Sequence, residues 1–408
     1  MGIYEEWGVE PVINASGAVT RLGGAPMPPA VLEAFVAAAG ESVCLDRLQG
    51  AASRYIRQVT GAEAGLVTCG CAAALTLGTA AILAGQNLRR IESLPNTAGF
   101  PDEFVMAREQ RNGYDHAVRA AGARLVEVGF HELVAGAGVR RAESWEYAAA
   151  FGPATAGVLY VYDAKASPPL QEVVDCAHAR GIPVLVDAAA ELPTPTNLQA
   201  LLGSGADLVA ISGGKGLRGP QSTGILCGRR DLVGSAAMQM LDLDDHFELW
   251  DPPPELIDKA DWPGLPRHGI GRALKVSKEE IVALLTALRL FVSGEHAGEP
   301  ARAERQLEQI AGMLSDIGCE HRFLAPQNEQ SLPLLEIEVA ENAVGRTAFE
   351  VCQRLRRGRP AVQVNHSRLR EGRLLINPLH LTDERTAILC QRLREELAPS
   401  AEQQSHSL

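Results

Sequence analysis

The sequence predicts an α/β protein with a large domain followed by a smaller α+β domain. Its 408 residues exceed the roughly 100–200 residues of an average domain, so we expect two domains. Apolar strand-like runs alternate with helices, which is typical of a mostly parallel sheet with helices on both faces. A long helix predicted over 278–292, with Ser277 and Glu280 in capping-box spacing, connects the two domains.

The predicted large domain covers residues 46–290 and follows an N-terminal arm over 1–45. The arm holds an extended entry at 9–17 and a helix at 30–39. The elements predicted next are a helix over 47–60, a strand over 64–68, a helix over 72–83, a strand over 103–108, a helix over 114–121, strands over 124–128 and 156–161, a helix over 170–180, and strands over 183–187 and 208–212.

The predicted C-terminal domain covers residues 291–397 and mixes helices with strands. Its predicted elements are a helix over 301–316, a strand over 333–339, a helix over 346–357, strands near 361–365 and 373–377, and a helix over 383–397. A polar tail at 398–408 is expected to be flexible.

Composition and charge restrict the class of protein. A net charge of −12 disfavours a nucleic-acid partner, because neutralising phosphates requires a basic face. No apolar run reaches the roughly 18 residues of a membrane span, and the first six residues lack an export signal, so we expect no membrane partner and a cytoplasmic location. The CxC pair Cys69 and Cys71 lacks a second pair of ligands, so no metal is expected.

Lys215 follows the predicted strand 208–212 and stands between glycines. A lysine at the exit of a buried strand can lose its proton by desolvation, which imine formation with an aldehyde requires. By itself the pattern is also that of a surface turn. Residues 214–219 match the GxGxxG pattern of dinucleotide-binding loops as well, but Pro220 stands where that loop needs a helix.

Asp187 ends the predicted strand 183–187, at the edge where open α/β sheets bind ligands. A carboxylate there can keep a pyridine nitrogen protonated, so that the ring accepts electrons when a bond to Cα breaks. The alternative is an aspartate that caps the following helix.

An anion site is predicted where the strand 64–68 turns into a helix of small residues. The backbone N–H groups of Gly70, Cys71 and Ala72, at the positive end of that helix, can hold a phosphate. The Ser212 hydroxyl could join them. Ordinary turn chemistry is the alternative for each.

The order of these features resembles that of fold-type I pyridoxal 5′-phosphate (PLP) enzymes, and four segments resemble the selenocysteine synthase (SelA)-like family. The segments are 12–17, 67–74, 186–189 and 212–221, within a resemblance that covers about residues 4–395. This resemblance implies a PLP cofactor and an aspartate-aminotransferase-like large domain with a mixed, mostly parallel sheet. It also implies Lys215 as the Schiff-base lysine, Asp187 at the pyridine nitrogen, Ala189 against the ring, and Ser212 with the Gly70 to Ala72 amides at the phosphate.

One position departs from the family pattern. The resemblance to members of the D-glucosaminate-6-phosphate ammonia-lyase type implies a His after the strand 103–108, where this chain has Gln110. Gln110, Arg111 and Tyr114 are therefore the candidates for covering the second ring face.

Further site residues are expected outside these segments. His268 and Arg272 lie in a segment from which such folds reach the neighbouring subunit's cofactor, although a solvent loop is an equal alternative. A substrate carboxylate would require an arginine of the C-terminal domain, and Arg359, Arg368 and Arg373 are the candidates.

The resemblance implies that Lys215 removes the Cα proton of a small amino acid or amino sugar acid, with β-elimination to a 2-oxo acid as the preferred outcome. Racemisation with Tyr114 or His116 as a second acid, selenium-transferase-like β-replacement, and a binding protein without turnover are the alternatives. Seryl-tRNA is not expected, because residues 4–17 lead directly into the catalytic domain where SelA carries a helical module. Two subunits complete fold-type I sites, so at least a homodimer is expected.

Overall fold

The computed structural model describes residues 2–130, 141–163, 166–189, 195–241, 246–295, 299–326 and 332–398. The chain divides into one compact unit of residues 27–292 and a second of residues 1–26 with 293–408. The predicted boundaries at 45 and 290 differ from this division and stay predictions. The predicted tail lies, apart from Ala398, outside the described residues.

The strands agree closely with the predicted ones. In chain order they are β1 (Ile13–Ala15), β2 (Ala64–Thr68), β3 (Glu103–Ala107), β4 (Arg124–Val128), β5 (Thr155–Val161), β6 (Val184–Asp187), β7 (Leu208–Ser212), β8 (Gly224–Gly228), β9 (His321–Leu324), β10 (Leu334–Glu338), β11 (Val362–Val364) and β12 (Arg373–Ile376). The short strand β9, which is partly exposed, was not predicted, because its sequence His-Arg-Phe-Leu lacks a clear apolar period.

The helices, in chain order, are α1 (Pro29–Ala39), α2 (Leu45–Thr60), α3 (Cys71–Ala84), α4 (Leu88–Ser93), α5 (Asp115–Ala120), α6 (Ser144–Ala150), α7 (Leu170–His178), α8 (Pro195–Gly203), α9 (Arg230–Met238), α10 (Lys278–Ser293), α11 (Glu299–Asp316), α12 (Glu341–Val344), α13 (Ala348–Arg357) and α14 (Asp383–Leu397). Nine of these helices correspond to predicted ones, whereas α4, α6, α8, α9 and α12 were not predicted. The predicted capping box of α10 is confirmed, because Ser277 N donates to Glu280 Oε2 and Glu280 N donates to Ser277 Oγ, at 3.1 and 3.3 Å. Within the described part of the chain, no helix is long and apolar enough to cross a bilayer.

The described residues of the larger unit form a mixed, mostly parallel sheet in the order β2-β8-β7-β6-β5-β3-β4. Strands β7, β6, β5, β3 and β4 are parallel, and β8 is antiparallel to both of its neighbours. Because β8 is antiparallel to both β2 and β7, those two strands run in the same direction. The carboxyl ends of all strands except β8 therefore meet at one edge of the sheet.

Helices cover both faces of this sheet. Along β6, Val184 and Val186 belong to one apolar cluster and Leu185 to the other, as expected from the alternation of side chains along a strand. Helix α3 is almost fully buried, and its small residues allow this close packing. At Gly78, a Cβ would already lie 3.1 Å from Leu185 Cδ1.

The smaller unit has its own apolar core. Strands β12, β10 and β9 form an antiparallel sheet in that order, and β1 pairs in parallel with β11. Helix α13 begins two residues later than predicted, because Thr347 and Glu350 form a capping box at its N-terminus.

Candidate functional site

The carboxyl edge of the central sheet brings together four of the predicted features. Thr68 of β2 and Ser212 of β7 both pair with Gly224 of β8, so the starts of α3 and of the lysine loop are neighbours. Asp187 is the last residue of β6, next to β7 in the sheet. Because parallel strands share this edge, residues far apart in sequence meet here.

The loop that carries Lys215 is closed by backbone hydrogen bonds. Gly213 N donates to Thr223 O and Gly219 N donates to Gly213 O, each at 2.8 Å, while Arg218 N donates to Lys215 O at 3.0 Å. Arg218 itself has a positive φ of 59°. The loop is therefore a defined structure, with Lys215 half-buried within it.

Glycines at two positions allow this loop to pack. A Cβ on Gly213 would lie 2.2 Å from Thr223 Oγ1, and one on Gly214 would lie 2.4 Å from Gln221 Cα. A side chain at either position would push the loop away from the segment 221–223. These glycines thus fix the position of the backbone that holds Lys215.

Asp187 is a buried carboxylate with one oxygen still available. Its Oδ1 accepts a hydrogen bond from Ala189 N at 3.0 Å and lies 3.9 Å from the thiol of Cys71. Burial raises the pKa of Asp187, while the Ala189 N–H, the charge of Lys215 and the Cys71 thiol lower it. Both contacts from the described residues use Oδ1, so Oδ2 can accept a hydrogen bond from a ligand.

The first turn of α3 is where the anion site is predicted. Gly70, which precedes the helix, has φ 100° and ψ 161°, a conformation open to glycine alone. A Cβ on Gly70 would meet no atom of the described residues within 4 Å, so the space beside Gly70 is open among them. On the other side, a Cβ on Gly224 would lie 2.5 Å from Gly70 C and 2.6 Å from Cys71 N. The absence of a side chain at Gly224 thus lets β8 pack directly against the backbone of this turn.

Gln110 is buried at the same edge of the sheet, after β3. Its Oε1 accepts a hydrogen bond from Val161 N at 3.0 Å, and Val161 is the register partner of Asp187. Among the described residues its Nε2 has no hydrogen-bond partner. The other two candidates for the ring face differ, since the Arg111 guanidinium pairs with Asp115 and Glu127 and Tyr114 is 55% exposed.

Two predicted residues lie elsewhere in the larger unit. His268 is exposed, and Arg272 is half-buried at a cavity of about 460 Å³. That cavity is lined mainly by apolar residues of α2, α9 and the segment 250–276, and does not include Lys215 or Asp187. A role for His268 and Arg272 in a neighbouring subunit's site therefore stays a prediction.

The three candidate arginines for a substrate carboxylate lie in the smaller unit. Arg368 and Arg373 both donate to the buried carboxylate of Glu336, and Arg322 is a third partner of that carboxylate. The side chain of Arg359 is 85% exposed and lies 3.4 Å from Glu10. Arg368 and Arg373 are thus held in internal ion pairs, which the sequence did not indicate.

Comparison with known proteins places the chain in a family. The model for class-V aminotransferases matches residues 166–242. The D-glucosaminate-6-phosphate ammonia lyase of Salmonella typhimurium is 29% identical over 405 residues, which cover 96% of this chain and 97% of that protein. A solved structure of a D-glucosaminate-6-phosphate ammonia-lyase has a TM-score of 0.78 and 28% identity, and covers 97% of this chain and 98% of its own.

Two further relatives widen the range of activities. The L-seryl-tRNA(Sec) selenium transferase of Moorella thermoacetica is 28% identical and covers 76% of this chain and 61% of that protein. The 5′-C-glycyluridine monooxygenase-decarboxylase of a Streptomyces species is 30% identical over 408 residues, or 97% of this chain and 92% of that protein. The chain belongs to the SelA-like family of fold-type I PLP enzymes. The predicted family and its fold are confirmed.

As a SelA-like protein, the chain is a PLP-dependent enzyme. The residues at the sheet edge fit this cofactor. Considering the described residues alone, the open space beside Gly70 suits a phosphate at the first turn of α3, and Oδ2 of Asp187, which they leave unbonded, suits a protonated ring nitrogen. Gln110 Nε2, which bonds to none of the described residues, offers a further donor.

Sequence reasoning missed three parts of this site. These are the thiol contact between Cys71 and Asp187, the bond between Gln110 and Val161, and the close approach of Gly224 to Gly70. The first two join residues 116 and 51 positions apart. No local pattern signals such contacts, because they depend on the order of strands in the sheet.

Proposed function

We propose that this SelA-like enzyme is a lyase that eliminates a β-substituent from a small amino acid or amino sugar acid. The observation that carries the proposal is the meeting of the Lys215 loop, Asp187 and the first turn of α3 at one sheet edge. Support for elimination comes from the 29% identity to an ammonia lyase over nearly the whole of both chains.

The residues at the edge divide the work. When bound, the cofactor supplies an aldehyde for amino groups and a ring that withdraws electrons from Cα. We assign to the Lys215 amine the attachment of the cofactor and, after substrate binding, the acceptance of the Cα proton. Asp187 supplies the negative charge that keeps the ring nitrogen protonated. The amides of Gly70, Cys71 and Ala72 and the Ser212 hydroxyl hold the phosphate.

The proposed reaction balances without an oxidant or reductant. For a β-hydroxy substrate the Cα–H and Cβ–O bonds break, the proton passes to Lys215, and the oxygen leaves with the bonding electrons and a proton as water. Water then replaces nitrogen in the released enamine. The net products are one 2-oxo acid and one ammonia for each substrate molecule.

Ala189 adjoins Asp187 and is proposed to lie against the ring, with Gln110 near the opposite face. Arg359, Arg368 and Arg373 stay candidates for a substrate carboxylate, although Glu336 already occupies one donor of each of the latter two. We further propose a homodimer, in which His268 and Arg272 reach the partner's site, a small-molecule substrate, no nucleic-acid partner, and a cytoplasmic location.

The test is a product assay with a panel of D- and L-β-hydroxy amino acids and 2-amino sugar acids. We expect 2-oxo acid and ammonia in equal amounts, and loss of both in Lys215→Ala. Release of α-deuterium without 2-oxo acid would contradict elimination and favour racemisation. Capture of an added nucleophile at Cβ would favour replacement instead.

A second candidate function is decarboxylation. It is favoured by the 30% identity to the 5′-C-glycyluridine monooxygenase-decarboxylase, which covers 92% of that protein. The same panel distinguishes it, because decarboxylation releases carbon dioxide from the substrate carboxylate and elimination retains that carbon in the 2-oxo acid.

A further inference from the structure

Gln110 combines deep burial with an incomplete set of hydrogen bonds. The residue is 9% exposed, its Oε1 is bonded to Val161 N, and its Nε2 has no partner among the described residues. The orientation of the amide is fixed by this arrangement, because the Val161 N–H needs an acceptor and only the oxygen can provide one. A buried N–H group without an acceptor lowers the stability of the folded protein. We therefore expect an acceptor from a ligand at this position.

The anchoring of the amide places it close to the proposed chemistry. Val161 ends β5 and is paired in register with Asp187, which ends β6. Tyr162 N donates to Asp187 O at 2.9 Å, so the two strand ends are tied together beyond the last register pair. The Gln110 amide is therefore attached to the same strand end as the carboxylate that is proposed to face the ring nitrogen.

We propose that Gln110 Nε2 donates a hydrogen bond to an anionic oxygen that arrives with the ligands, either the phenolate of the cofactor ring or the carboxylate of the substrate. An amide has no titration in the physiological range, so this donor is present at every pH. A His at this position would change its charge between about pH 5 and 8. Gln110 is thus a positioning residue whose hydrogen bond to the ligand does not depend on pH. The inference deepens the proposed function and rests on it for the location of the cofactor.

The test uses Gln110→Glu, which keeps the size of the side chain and the acceptor for Val161 N–H and, when ionised, has no donor. If the acceptor is the cofactor phenolate, the dissociation constant of PLP for the apoprotein rises at least about tenfold and the absorption maximum of the bound cofactor shifts. If the acceptor is the substrate carboxylate, the affinity for PLP and the spectrum are unchanged and KM rises at least about tenfold. PLP affinity, KM and spectrum all like those of the wild type would overturn the inference.

Gln306→Glu is a control for the burial of a charge. Gln306, in α11 of the smaller unit, is 2% exposed, and its Nε2 donates to Leu381 O at 3.0 Å. Lys215, Asp187 and the segment 268–272 all belong to the larger unit. We expect a lower melting temperature without a change in PLP affinity or spectrum. If PLP affinity and the spectrum changed as much in this control as in Gln110→Glu, the effect at Gln110 would be due to charge burial in general, and the inference would be overturned.

A second variant covers the case in which Gln110→Glu fails to fold. Gln110→Met removes both polar atoms at similar volume, and we expect the same pattern of losses with a smaller effect on folding. Wild-type affinities in this variant would likewise overturn the inference. Failure of the wild type to bind PLP through Lys215 would instead refute the proposed site, so the two failures are distinguishable.

Discussion

Cys71 belongs to the first turn of α3 through its backbone and contacts Asp187 through its side chain. Its backbone N–H belongs to the first turn of α3, and its thiol lies 3.9 Å from Asp187 Oδ1. Burial raises the thiol pKa well above its ordinary value, and the Asp187 charge raises it further, so the group stays protonated and can act as a donor. The sequence alone suggested only the role of the backbone.

Replacement of this thiol should change the pH dependence of cofactor binding. The Cys71 contact lowers the Asp187 pKa, so Cys71→Ala should raise that pKa and move the acidic limb of PLP affinity to higher pH. Cys71→Ser should retain the wild-type limb, because a hydroxyl is also a donor. The measurement is a titration of apoprotein with PLP at a series of pH values. Cys69→Ala is the control, and an unshifted limb in Cys71→Ala would refute the coupling.

Among the elements, the junction between β8 and α3 determines the position of the proposed anion site. Gly224→Ala would put a Cβ 2.5 Å from Gly70 C, where only backbone can give way. We expect a loss of about 1–3 kcal/mol in stability and a weaker affinity for PLP, because the first turn of α3 must move. Gly152→Ala is the control, since a Cβ there meets nothing within 4 Å. Urea unfolding and PLP titration measure both effects, and wild-type PLP affinity in Gly224→Ala would contradict the role of this junction.

In the smaller unit, Glu336 is the buried centre of an arginine cluster. Burial raises its pKa, but hydrogen bonds from Arg322 and Arg368 outweigh this, and the pKa lies below its ordinary value of 4.5. Its contribution to stability is therefore present above that value and is lost as the pH falls through the lower, folded-state pKa. Strand β10 thus carries an ion-pair cluster that includes Arg373 of β12.

Removal of the Glu336 charge should destabilise the protein at neutral pH. We expect Glu336→Gln to lose on the order of 3 kcal/mol, because three guanidinium groups lose their buried partner. Glu338→Gln, on the same strand but 52% exposed, should lose less than about 1 kcal/mol. The comparison is made by chemical denaturation at pH 7. Equal, small losses in the two variants would show that the cluster does not support the sheet.

Across the whole molecule, the features that depend on local sequence patterns were predicted correctly from the sequence. The alternation of strands and helices, the Ser277 and Glu280 capping box, and the positions of Asp187 and Lys215 at strand ends needed only periodicity and turn chemistry. The antiparallel placement of β8 between β2 and β7 did not follow from such patterns. Nor did the Glu336 cluster, where Arg368 lies 32 positions from its partner. These features depend on which strands become neighbours.

The five lysines of the chain allow a direct test of the central claim. Lys165, Lys215, Lys259, Lys275 and Lys278 are the only amines on side chains. Lys259 Nζ donates to Trp250 O at 2.6 Å and Lys278 Nζ to Ala38 O at 3.0 Å, so both are engaged with backbone carbonyls. Lys215 follows β7 by three residues, and the carboxyl end of β7 lies next to Asp187 in the sheet.

The decisive measurement is borohydride reduction of the PLP-loaded protein, followed by proteolysis and mass spectrometry. We predict a reduced pyridoxyl group on Lys215 alone. Lys215→Ala should lose both this label and the visible absorption of the cofactor, whereas Lys275→Ala should retain both. A label on any other lysine of the wild type, or an unchanged label in Lys215→Ala, would contradict the account.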